Sequence, residues 1–179
     1  MNDIPRHAAR VMLRRLAATD LAEFQAYRHD PAVGLYQGWT PQPDEAARAF
    51  LVEMAEAPLL APGAWVQLGV ADRATNRLLG DVGLHLSADG GEAEVGITLS
   101  AGAQGRGLAT EALRAAITLI FERTAARRVI GNVDTRNELS IRLLERAGMR
   151  RLDTVDAVFR GAPCREHVYA LDRDMKETA

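Results

Sequence analysis

The apolar residues of this chain change their spacing several times, and each change marks an element. From 109 onward Ala109, Ala112, Leu113, Ala116, Ile117 and Ile120 recur at steps of three and four, which predicts an amphipathic helix with one buried stripe. Just upstream the spacing is two. In "GEAEVGITLS" (91–100), Ala93, Val95, Ile97 and Leu99 alternate with Glu94, Gly96 and Thr98, the pattern of a strand with one face inward. "AWVQLGVAD" (64–72) and "LLGDVGLHLS" (78–87) also read as strands, and the short connections "RATNR" and "ADGG" make the three antiparallel neighbours. Before them, "RVMLRRL" (10–16) predicts an opening strand. Thr19 offers an N-cap to a helix in "DLAEFQAYRH", which Asp30-Pro31 stops, and "PDEAARAFLVEMAEA" (43–57) is a second helix with Pro, Asp and Glu at its start. After the central helix come a strand in "RRVIGNVD" (127–134), a helix in "NELSIRLLERAG" (137–148) closing on Gly148, and a last strand pair in "RRLDTVDAVFR" (150–160) and "REHVYALDRD" (165–174). The order β-α-α-β-β-β-α-β-α-β-β predicts an α/β chain of the α+β type, with a mixed, mostly antiparallel, twisted sheet flanked by helices.

Composition narrows the field. The 179 residues suit one domain, 1–179, with a core of about 11–175. Lys and Arg total 22 against 24 Asp and Glu, for a net charge of −2, so no bulk basic field suggests a nucleic-acid partner. The longest apolar runs, such as "ITLIF", fall far short of the roughly 20 residues of a membrane span, and the start of the chain lacks an apolar leader. A cytoplasmic protein with no membrane partner is the expectation. Cys164 is the single cysteine and the four histidines are scattered, so neither a disulfide nor a metal site is expected.

The segment between the last upstream strand and the central helix, "SAGAQGRGLAT" (100–110), carries the chemistry. A strand, a glycine-rich loop and a helix N-terminus gather free N–H groups around one volume, which suits an anion; the glycines alternatively only turn the chain. A P-loop needs Lys after its last glycine, and none stands there. The dinucleotide pattern wants Gly or Ala where Thr110 stands, and belongs to a parallel unit. Gln104-Gly105-Arg106-Gly107-Leu108-Ala109 instead matches Q/R-x-x-G-x-G/A.

With that motif the chain resembles the GCN5-related N-acetyltransferases (GNAT), and within them the branch of ribosomal-protein N-terminal (RimJ/RimL-like) acetyltransferases. "LRRLAATDLAEF", "DPAV", "AEVGITLS", "GLATEAL", "VDTRNELSIRLLERAGM" and "CREHVYAL" stand in family order across roughly 11–175. The resemblance implies acetyl-coenzyme A as co-substrate, its pyrophosphate on the N–H groups of Gly105, Arg106, Gly107, Leu108, Ala109 and Thr110, beside Gln104. It implies that the strand ending at Leu99 splays from that at 127–134, that the pantetheine arm lies between them, and that N–H groups near Ile97 and Leu99 bind it. Gly96, which interrupts the strand, suits such an approach, or else only fits beneath a helix.

The same resemblance implies an acyltransferase that moves an acetyl group to a primary amine, directly and in a ternary complex. Glu94 matches a glutamate that serves as general base, and is otherwise an ordinary strand carboxylate; His85 and His167 are reserve bases. Asn137 reads as a helix N-cap and also matches an asparagine against the cofactor, while Ser140 matches a serine that donates to the departing sulfur. Tyr36 and Trp39 border the acceptor in similar folds, or pack a lid. Cys164 lacks a neighbouring base, and the thioester needs no covalent relay. The acceptor is a small-molecule amine or a protein N-terminus, and a homodimer stays open. A non-catalytic cofactor sensor and an NAD-binding protein are the rival readings.

Overall fold

The period-two segments join in one eight-stranded sheet, and the period-3.6 segments cover its two faces. The computed structural model describes residues 4–173. Its strands are β1 (Arg6–His7), β2 (Val11–Arg15), β3 (Trp65–Asp72), β4 (Leu78–Leu86), β5 (Glu92–Leu99), β6 (Arg128–Asp134), β7 (Arg150–Phe159) and β8 (Ala162–Asp172), and its helices are α1 (Leu21–Arg28), α2 (Pro31–Gly34), α3 (Asp44–Glu56), α4 (Leu108–Arg123) and α5 (Glu138–Arg146). The strand order is β1-β2-β3-β4-β5-β6-β8-β7. Every neighbouring pair is antiparallel except β5 and β6, which the crossover through α4 makes parallel.

Strand alternation sends Val82, Leu84, Val95 and Leu99 to one face, where Ala112, Leu113, Ala116, Ile117 and Ile120 of α4 meet them in the larger core. Leu119 and Phe121 of α4 are buried as well, so the helix hides more than the single stripe its spacing predicts. The opposite face carries a second core, where Leu16 and Leu78 meet Phe24 and Tyr27 of α1, Val33 of α2, and Ala47, Leu51 and Met54 of α3. Each fully buried aliphatic side chain contributes about 1.5–3 kcal/mol, so the two cores fix both helical layers against the sheet.

The structure departs from the sequence reading in four places. Thr19 lies inside a 3-10 turn, Ala18–Asp20, and caps nothing; Asp20 stands at the start of α1 without a side-chain capping bond and instead braces the turn, accepting from Ala17 N (2.9 Å) and pairing with Arg14 through both oxygens (2.8 Å each). Asp30-Pro31 does end α1, but it also starts α2: Asp30 Oδ1 accepts from Ala32 N (2.9 Å) and Pro31 sits where a missing N–H costs nothing. The two-residue β1, too short for a periodic signal, pairs with Met12 and Leu13. Strand β8 begins at Ala162, earlier than its apolar spacing suggests; the far ends of the predicted strand and core, at 174 and 175, lie outside the described residues. Gly148 closes α5 as expected, at φ +95, with Gly148 N on Glu145 O and Met149 N on Leu144 O.

Candidate active site

The loop ahead of α4 has the backbone that its glycines predict. Gly105 and Gly107 take φ of +72 and +77, in the left-handed region, and a Cβ built on Gly105 would meet no atom within 4 Å. The first backbone bond of α4 runs from Glu111 N to Gly107 O (3.2 Å), which leaves the N–H groups of Leu108, Ala109 and Thr110 at the open helix end. Arg10 holds this loop from behind, with Nη1 donating to Arg106 O (3.0 Å) and Nε paired with Glu111 (3.1 Å). Gln104 turns back instead, its Nε2 donating to Leu99 O (2.9 Å).

That bond and another orient the strand beside the loop. Gln37 Nε2 reaches Ile97 O (3.4 Å) from the same side as Gln104 reaches Leu99 O. In a strand the N–H of a residue points with its carbonyl, so Ile97 and Leu99 turn their N–H groups the same way, away from β4. Among the described residues no strand meets them: β5 and β6 pair through Glu92–Arg128, Ala93–Val129 and Glu94–Ile130, and then part. The gap opens into a cleft of about 280 Å³ lined by Ile97, Leu99, Gln104, Gly105, Gly107, Ala109, Thr110, Asn137 and Ser140 among others. Asn137 Oδ1 caps α5 by accepting from Ser140 N (3.2 Å), and this brings both side chains to the cleft wall.

A smaller cavity of about 110 Å³ adjoins it, sharing Tyr36, Gln37, Ile97, Asn137 and Ser140, and continuing past Gly96, Asn132, Asp134, Phe159 and Glu166. A Cβ on Gly96 would meet nothing within 4 Å, so this glycine borders open space and is not there to fit under a helix. Glu94 lies one step outside the cavity, opposite His85 on β4, and Asn132 Nδ2 donates to its Oε1 (3.1 Å). Burial pushes the Glu94 carboxyl above the ordinary carboxylate range; the Asn132 bond and His85 pull it back, while Glu166 and Glu92 push it further up. Asp134 behaves in the opposite way, held low by Arg136, which grips both its oxygens (2.9 and 2.7 Å).

Most of the residues singled out from the sequence thus gather around two joined cavities; Glu94, Arg106, Leu108 and Trp39 do not line them, nor do the reserve bases His85 and His167 or the thiol of Cys164. Arg106 gives its carbonyl to Arg10, Leu108 is buried in the core, and Glu94 reaches the smaller cavity only through Asn132. Trp39 packs behind the wall: its ring lies 4.5 Å from the Arg28 guanidinium, its Nε1 donates to Thr98 Oγ1 (3.4 Å), and Arg28 is in turn paired with buried Asp81 (2.8 Å). His85 stacks on Trp65 (5.2 Å between ring centres), and His167 bonds Thr154 Oγ1 (2.7 Å) on the far side of β8. Burial and the charges of Glu166 and Asp134 raise the Cys164 thiol, which keeps it protonated. Gln37, Asn132, Phe159, Arg160 and Glu166 are the site residues that sequence reading misses. Arg160 Nη2, from the β7–β8 turn, donates to the carbonyls of Gly34 (3.0 Å) and Gln37 (3.3 Å) and so ties the Tyr36 wall to the hairpin.

A family model for the acetyltransferase (GNAT) domain matches residues 10–150. A GNAT-family acetyltransferase from Bacillus anthracis has the same fold, with a TM-score of 0.83 at 22% identity over 94% of this chain and 98% of that one. A candidate ribosomal-protein-serine acetyltransferase from Vibrio cholerae gives 0.75 at 23% identity, over 94% and 98% of the two chains. The microcin C7 self-immunity acetyltransferase MccE, whose structure holds acetyl-CoA and AMP, gives 0.77 at 15% identity, over 91% and 92%. No protein of curated function matches. The match over residues 10–150, on a sheet that parts beside a glycine loop, identifies this chain as a member of the GNAT acetyltransferase family.

Proposed function

We propose that this acyltransferase moves an acetyl group from acetyl-coenzyme A to a primary amine by direct transfer, with residues 1–179 acting as one N-acetyltransferase domain. The observation that carries the reading is the parting of β5 from β6 after Glu94, which leaves the Ile97 and Leu99 N–H groups facing a cleft that starts at the glycine loop. Acetyl-coenzyme A supplies an activated thioester. The N–H groups of residues 105–110 take the pyrophosphate, since Gly105 leaves the backbone bare where a side chain would intrude. Ile97 and Leu99 donate to the pantetheine arm and to the thioester carbonyl, where negative charge develops. Ser140 donates to the sulfur as it leaves, and Asn137 holds Ser140 and the cofactor together.

Glu94 takes the amine proton through a bound water, with Asn132 steering its carboxylate. The raised proton affinity of Glu94 suits a group that must accept a proton and pass it on. The family-order motifs and the likeness to the Vibrio cholerae structure support membership of the RimJ/RimL-like branch. Release of free coenzyme A thiol across a panel of primary amines tests the function. The enzyme gives acceptor-dependent release and an acetylated amine by mass spectrometry. Tight cofactor binding without turnover of any amine would instead identify a sensor.

A further inference from the structure

The smaller cavity carries a carboxylate that neither the base nor the fold uses. Three acids stand in or beside it, and two have an assignment: Asp134 is neutralised by Arg136, and Glu94 is held by Asn132. Glu166 lines the cavity directly. It faces Asp134 across the β6–β8 ladder, two pairs along from Asn132–Val168, so it projects to the same side of the sheet as Asn132. It is half-buried, and among the described residues it makes neither an ion pair nor a hydrogen bond. Its neighbour Arg165 turns to Asp156 (3.6 Å) and leaves it unpaired. Half-burial takes away part of the hydration of this carboxylate, and among the described residues no cation pairs with it in exchange. Tyr36 and Phe159 add aromatic surface to the lining, and at about 110 Å³ the cavity admits only the reacting end of a substrate.

We propose that Glu166 binds the ammonium group of the acceptor, and that the acceptor is an alkyl primary amine with no carboxylate beside the amine. The proposal rests on the reading of this cavity as the acceptor site. An alkyl amine arrives as a cation at neutral pH and supplies the counter-ion that Glu166 lacks. An arylamine arrives neutral and gains nothing from it. A free α-amino acid brings its own carboxylate against Glu166 and is disfavoured, whereas the corresponding amide is accepted. A small alkylamine and a peptide α-amine share this chemistry.

The test is kcat/KM of the full chain and of Glu166→Gln for butylamine, alaninamide, alanine and aniline, with desulfo-coenzyme A affinity measured alongside by calorimetry. The parent prefers alaninamide to alanine. In Glu166→Gln, alaninamide and butylamine lose roughly 10- to 100-fold, the range for a hydrogen bond to a charged group, and the loss falls mainly on KM. Aniline and the cofactor affinity stay unchanged, the preference against alanine narrows, and Glu166→Asp recovers part of the loss. Equal effects on alaninamide and aniline, or no effect on either, would overturn the assignment of Glu166 and leave the acetyltransferase reading intact. Absence of turnover by the parent with every amine would overturn both. A drop in butylamine without alaninamide would point to a free alkylamine as the natural source, and the reverse to a peptide terminus; either supports the assignment.

Discussion

Gly105 and Gly90 have nearly the same φ, and one borders the larger cleft while the other does not. Gly105 is at φ +72 and lines the larger cleft; Gly90 is at φ +71 in the β4–β5 hairpin and lines neither cavity. An added Cβ meets nothing within 4 Å at either site, so in the unliganded protein alanine brings the same penalty to both. Holding an L residue in the left-handed region costs roughly 1–2 kcal/mol, and at this chain length each kcal/mol is worth about 2–4 °C in Tm, so Gly105→Ala and Gly90→Ala both lose roughly 2–8 °C. Their affinities for coenzyme A should separate. A backbone N–H donating to an anionic phosphate contributes about 1.5–3 kcal/mol, so a methyl that holds the phosphate off one such group weakens binding by roughly 10- to 150-fold. Thermal melts and calorimetry with desulfo-coenzyme A measure the two quantities separately. Gly90→Ala binds as the parent does, and Gly105→Ala does not. Equal affinities in two variants with equally lowered Tm would remove the loop from the phosphate site.

Asn132→Ala removes a hydrogen bond that lowers the proton affinity of Glu94, so the acid limb of the kcat/KM profile for the acceptor moves to higher pH; an unmoved limb would separate Asn132 from the base. Ser140→Ala lowers kcat by a factor that is constant across pH for a given acceptor, because the partner proposed for it is the sulfur and not the amine; stopped-flow thiol release checks this. Cys164→Ala leaves turnover nearly intact and double-reciprocal plots intersecting, and an acetyl group trapped on Cys164 with loss of activity would contradict direct transfer.

Local chemistry was the legible part of this chain. The stripe of α4, the cap at Asn137, the stop at Gly148 and the left-handed Gly105 and Gly107 each depend on residues within a few positions of one another. The parting of β5 from β6 was expected only through the family resemblance, because no local pattern tells a strand where its pairing ends. Gln37, Arg160 and Glu166 were not legible at all. Each acts across the molecule: Gln37 on Ile97, Arg160 on Gly34, and Glu166 through a register that sets it opposite Asp134. Alternation along β8 would have found Glu166 once its pairing with β6 was known. Trp39 shows the converse, since its neighbourhood in "LYQGWTP" pointed to a pocket while Arg28, Thr98 and Gly34 hold its ring behind the wall.

The proposed amine acetylation turns on Glu94 as its base. The decisive measurement is the pH profile of kcat/KM for one good alkylamine acceptor, taken on the parent and on Glu94→Gln, with coenzyme A affinity verified in both. Burial raises the proton affinity of Glu94, so the carboxylate is lost as pH falls through a value above the ordinary carboxylate range, and the parent's activity falls with it. At neutral pH, Glu94→Gln is slower by roughly 10²–10⁴-fold, the span typical of general-base catalysis. Its deficit shrinks as pH rises, because the acceptor then arrives already neutral. A Glu94→Gln enzyme that binds coenzyme A normally and matches the parent at every pH would contradict the account.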